Sequence, residues 1–136
     1  MDAPEWTNNF IGIPWKDKGR DRDGVDCWGC VRLVYREQYE ILLPSYLEDY
    51  ASPEEHAEIG SLILGETAKN WKLTLSPREG DAILFNVAGE PAHTAIYACS
   101  GVMLHIRRGA GSCLERYTTA IWSPRLLAFF THPDRV

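Results

Sequence analysis

Beyond Trp71 the chain is a series of short β-rich runs separated by turn residues, at 81–87, 93–99, 102–107, 113–117 and 126–131. Runs this short joined by links this short pair as antiparallel neighbours, which predicts a meander. The region before Trp71 reads as helical. Helices first and strands after define an α+β class, in which N-terminal helices pack on one face of an antiparallel sheet. With 136 residues, 45% of them apolar, the chain is expected to form a single domain spanning 1–136 around its own core.

Residues 10–25 are rich in glycine and charge and read as a lead-in loop. Asp26 then has the character of an N-cap, and Trp28, Val31, Val34, Tyr35 and Gln38 follow at spacings of three and four, which predicts a helix. Pro44 should stop it by Leu43, because the residue before proline is pushed out of the helical region. A second helix is predicted from Ser52-Pro53-Glu54-Glu55, where a capping serine and glutamate flank a proline at the first helical position.

The formal net charge of −5 argues against a nucleic-acid coat, since displacing counterions from phosphates needs a basic face. The start Met1-Asp2-Ala3-Pro4-Glu5 lacks the basic and apolar segments of a secretory signal, and no segment reaches membrane-spanning length. The expectation is a protein made in the cytoplasm without membrane insertion, whose four cysteines are thiols rather than a disulfide framework.

A thiol that cleaves an amide needs an imidazole to take its proton and a third group to orient that imidazole. Cys27, directly after Asp26, falls in the first turn of a helix, where the dipole and free backbone N–H groups lower a thiol from about 8.5 toward roughly 3.5–7.5. His93 opens one predicted strand and His105 lies on the next. A three-residue loop at 99–101 would set Ala95 opposite His105 and make the histidines diagonal neighbours on one face. A two-residue loop at Ser100-Gly101 would put them on opposite faces. Arg107 shares the histidine face in the first case and could grip a carboxylate.

Several motifs, taken in order, resemble the NlpC/P60 cysteine peptidases, and within them the branch found in phage tails and gene transfer agents. They are Gly12-Ile13-Pro14-Trp15, then Gly24-Val25-Asp26-Cys27-Trp28-Gly29, Glu79-Gly80-Asp81-Ala82-Ile83-Leu84-Phe85, His93-Thr94-Ala95-Ile96-Tyr97 and Met103-Leu104-His105. The resemblance implies a papain-like fold with Cys27 as nucleophile, His93 as base and acid, and His105 as the orienting residue. It implies no cofactor or metal, and a substrate that is the peptide stem of bacterial cell-wall peptidoglycan. Trp15 stands where many members carry a tyrosine whose hydroxyl helps hold the nucleophile or the oxyanion; an indole N–H can donate but not accept. Trp28 replaces a serine usual in the family, and as a candidate substrate contact it would reshape the cleft. A chain with no export signal reaches cell wall if a phage-like particle delivers it, with tail proteins as partners.

Two other readings stay open. The chain could be an assembly component of such a tail with secondary or lost catalysis, or Cys27-Trp28-Gly29-Cys30 could serve a redox pair or a metal. Cys30 otherwise reads as a small buried residue. His56 and His132 read as solvent-exposed, and Trp71, Trp122, Phe129 and Phe130 as packing residues.

Overall fold

The computed structural model of the protein describes residues 2–46, 65, 71–87 and 90–135. After a 3-10 helix at Glu5–Phe10, two short strands, β1 (Arg20–Asp21) and β2 (Gly24–Val25), pair antiparallel within the segment read as a loop. Helix α1 covers Cys27–Tyr39. The remaining strands are β3 (Lys72–Thr74), β4 (Ala82–Val87), β5 (Glu90–Cys99), β6 (Val102–His105), β7 (Cys113–Arg116) and β8 (Leu126–Thr131). They form one sheet in the order β3-β8-β4-β5-β6-β7. Four strands follow one another as the expected meander. The last returns across the sheet to pair with β4 and β3, and all the pairings are antiparallel. The result is the α+β architecture. Among the described residues, no helix is long and apolar enough to cross a membrane. The helix expected from Ser52, with His56 in it, lies outside the described residues except for Gly65, which is helical.

The central strands β4, β5 and β6 are buried on both faces. Leu84, Ile96 and Leu104 pack under Val31, Leu33, Val34 and Tyr35 of α1, while Ile83, Phe85, Ala95 and Met103 pack with Tyr117 and Trp122 on the far side. Each such aliphatic side chain contributes about 1.5–3 kcal/mol of transfer free energy. A one-residue slip would turn both sets around, so burial on two faces specifies register tightly.

Helix α1 begins at Cys27 because Asp26 caps it: Asp26 Oδ1 accepts from the Gly29 N–H at 2.8 Å. The same oxygen pairs with Arg20 Nη1 at 2.8 Å, and both side chains are buried. Arg20 also donates to the Gly19 and Ser45 carbonyls, so one guanidinium ties β1, the helix start and residue 45 together. Only glycine fits at position 29, where a Cβ would stand 2.0 Å from the Gly19 carbonyl oxygen. The helix ends earlier than Pro44 requires. Glu40 adopts a left-handed conformation (φ 56°) and its N–H returns to the Tyr35 carbonyl. At the far end, Arg135 pairs with the buried Asp81 and donates to the Glu79 carbonyl.

Asp26→Ala removes the cap and leaves the Arg20 guanidinium buried without its carboxylate. It is expected to lower the unfolding free energy by about 3 kcal/mol, and Asp26→Asn by less because an acceptor oxygen remains. Urea denaturation checks this, and a loss below about 1 kcal/mol for Asp26→Ala would overturn it.

Candidate functional site

The two histidines meet through a register that neither simple loop produces. Cys99 pairs with Val102 across the two-residue turn Ser100-Gly101, where Gly101 takes the left-handed conformation (φ 76°). By sequence reasoning this turn separates the histidines. The next pair inward, however, is Tyr97 with Met103, so Ala98 is an extra residue on β5, a bulge that shifts the register by one. Ile96 then faces Leu104, and the same count puts Ala95 opposite His105. The histidines end on one face, with His93 Nε2 and His105 Nδ1 3.0 Å apart. Two-residue turn plus bulge does the work assigned to a three-residue loop.

The chain of contacts continues. His105 Nε2 lies 2.7 Å from Glu115 Oε1, and the Trp122 indole N–H donates to Glu115 Oε2 at 2.9 Å. Trp122 stacks on His93 with ring centroids 5.1 Å apart and meets His105 edge-on, and Phe85 closes a further side of His93. Burial opposes the charge on Glu115, but the hydrogen bonds from Trp122 and His105 outweigh it and hold the carboxyl below its usual range. An ionised carboxylate can only accept, so its partner nitrogen carries the hydrogen. His105 therefore has Nε2–H and offers a lone pair at Nδ1, His93 donates its Nε2–H to that lone pair, and the lone pair of His93 falls on Nδ1. Glu115 fixes the tautomers of both rings.

Sequence reasoning missed Glu115, and it read Trp122 as packing alone. The signal for Glu115 was present in the strand pattern: His105 stands opposite Cys113, and Glu115 is two residues on, the same diagonal relation that joins the histidines.

Cys27 approaches the site from the start of α1. It meets β5 at Thr94, the residue after His93. Thr94 Oγ1 donates to the Cys27 carbonyl at 3.4 Å, and the thiol receives hydrogen bonds from Thr94 and from the Trp28 backbone. Burial pushes the Cys27 thiol up to about 11, the Asp26 carboxylate adds to the rise, and the hydrogen bonds from Thr94 and Trp28 oppose it. Burial likewise pushes His93 down to about 3, helped by positive charge at His105, Arg107 and Arg125. The lowered thiol expected from the helix start is thus corrected. At this depth the loss of hydration outweighs the dipole, and both groups rest uncharged.

The other sequence candidates separate. Trp15 donates its indole N–H to Asp17 at 2.8 Å and so does not present it to an oxyanion. Trp28 is buried, with its N–H on the Pro44 carbonyl and its ring against Tyr46, so it is a core residue and not a substrate contact. The second residue of α1 points inward. Arg107 is exposed at the rim, its Nε 3.9 Å from Glu115 Oε1. Cys30 is buried in the core under α1. His132, expected at the surface, is buried edge-on against Trp71 at 4.9 Å, and its Nδ1 accepts from the Asp134 N–H.

A model of the NlpC/P60 family matches residues 12–131, and the chain belongs to that family. It is 25% identical over 117 residues to the murein DD-endopeptidase MepS/murein LD-carboxypeptidase of Escherichia coli K12, a match covering 86% of this chain and 54% of that protein. The chain thus spans about half the length of that relative. Its fold resembles an NlpC/P60 family protein from Bacillus cereus, with TM-score 0.70, 18% identity and coverage of 97% of this chain and 41% of the other. It also resembles the NlpC/P60 domain of the peptidoglycan hydrolase SagA, with TM-score 0.63, 18% identity and 92% of each chain covered.

A thiol raised toward about 11 stays protonated through neutral pH, so alkylation of Cys27 in the free protein should keep climbing with pH toward that value. A rate already level below the ordinary thiol value of about 8.5 would overturn the buried, uncharged resting state.

Proposed function

We propose that the protein is a cysteine peptidase that hydrolyses peptide-stem amide bonds of bacterial peptidoglycan, with Cys27 as nucleophile, His93 as base and acid, and His105 as the orienting residue. The observation that carries this reading is the hydrogen-bonded series from Glu115 through His105 to His93, which leaves the lone pair of His93 on Nδ1. Its strand also carries Thr94, against Cys27. Family membership and the relatives whose names include murein endopeptidase and peptidoglycan hydrolase support the substrate class.

The chemistry follows from two uncharged groups. As Cys27 Sγ bonds to the substrate carbonyl carbon, its proton passes to His93 Nδ1, so that no free thiolate has to form in the buried site. Backbone N–H groups at the helix start stabilise the oxyanion. Imidazolium His93 then protonates the leaving nitrogen as the C–N bond breaks, which leaves a thioester on Cys27. Water attacks the thioester with His93 again taking a proton, and the acid product departs as the thiol re-forms. Glu115 stabilises the transient positive charge through His105. Arg107, exposed beside Glu115, would hold a stem-peptide carboxylate in this reading.

We further propose that the protein is made in the cytoplasm and works from a phage-like tail, with tail proteins as partners. The support is the likeness of the Asp26-Cys27-Trp28-Gly29 box to tail-borne members of the family.

Incubation with purified cell-wall peptides tests the reading. Wild-type protein is expected to release fragments, with Cys27→Ala and His93→Ala slower by at least about 10³-fold. Release that survives Cys27→Ala would overturn it.

A further inference from the structure

Glu115 and His105 belong to a set of three. Among the described residues, His105, Cys113 and Glu115 bring an imidazole nitrogen, a thiol sulfur and a carboxylate oxygen within 4.8 Å of one another. Strand register is the cause. His105 stands opposite Cys113 and Met103 opposite Glu115, and residues two apart share a face, so all three side chains rise from one face of the β6–β7 pair. His105 is buried, whereas Cys113 and Glu115 are half-buried, so a fourth direction faces solvent.

Imidazole, thiolate and carboxylate together form a donor set suited to zinc, with three protein ligands and one open position. Tetrahedral zinc with ordinary bond lengths holds its nitrogen and oxygen ligands about 3.4 Å apart. His105 Nε2 and Glu115 Oε1 stand at 2.7 Å, so the pair must open by less than about 1 Å to admit the ion. Arg107 lies near, and its half-exposed guanidinium has room to turn toward solvent.

We propose that His105, Cys113 and Glu115 form a regulatory zinc site that switches the base off by reversing the tautomers of the two histidines. Zinc at His105 Nε2 takes the lone pair there, so the single hydrogen of that neutral ring moves to Nδ1. His105 then donates to His93 Nε2 instead of accepting from it. The hydrogen of His93 moves in turn to Nδ1, which loses the lone pair that would take the Cys27 proton. Cys113 releases its thiol proton to solvent as it binds the metal, Glu115 binds as carboxylate, and both imidazoles stay neutral. Binding requires only the three ligands; its regulatory consequence rests on the hydrolase reading above.

Zinc alone is the probe, titrated by calorimetry into Cys27→Ala protein so that the nucleophile cannot ligate the ion. One zinc per chain is expected, with affinity at least about tenfold weaker once Cys113→Ser is added. The ring ¹⁵N resonances of His93 should show the hydrogen moving from Nε2 to Nδ1 on zinc addition. If Cys113→Ser disturbs folding, Glu115→Gln gives the same check on affinity with a weaker oxygen ligand. Absence of stoichiometric zinc, affinity indifferent to both substitutions, or a His93 tautomer unmoved by zinc would overturn the site. Neither readout needs turnover. A chain that binds zinc and switches tautomer but cleaves no cell-wall peptide overturns the hydrolase reading alone, whereas one that cleaves but fails these tests overturns the zinc site alone.

Discussion

Burial on both faces of the central strands β4, β5 and β6 forces them to hold their register, and the β5–β6 hairpin transmits that constraint to the candidate site. With α1 on one side and the Phe85, Tyr117 and Trp122 cluster on the other, β5 cannot slip without exposing apolar surface on both sides at once. The tight turn at Ser100-Gly101 would by itself send the histidines to opposite faces. The extra residue at Ala98 absorbs the mismatch, so a local irregularity reconciles a favourable turn with a fixed core.

From that register the electrostatics follow. The series runs from Trp122 through Glu115 and His105 to His93, and the half-buried carboxylate dictates where each hydrogen sits. Inside the protein each ring nitrogen needs a definite role, because water is not there to substitute for a missing donor or acceptor. The same burial that orders the series keeps Cys27 and His93 uncharged at rest.

Much of the site was legible in the sequence. Asp26 was readable as a cap because its residue type sits where the helical spacing begins, and the positions of Cys27, His93 and His105 followed from helix and strand patterns. Trp15 and Trp28 were misassigned because a motif gives position along the chain and not the direction of a side chain. The Trp15 N–H goes to Asp17, and Trp28 turns inward onto the Pro44 carbonyl. His132 looked like a surface residue beside Pro133, yet Trp71 and Tyr35, distant in sequence, enclose it.

The sequence by itself determined the α+β class, the start of α1 at Cys27 and most of the strands, because hydrophobic period, capping and turn chemistry are local. Tertiary structure alone decided the Ala98 bulge, the partnership of His105 with Glu115, the pairing of Arg20 with Asp26 and the raised thiol of Cys27. Each depends on how much water is excluded and which distant group arrives in its place, and those are properties of the packed sheet rather than of any one segment.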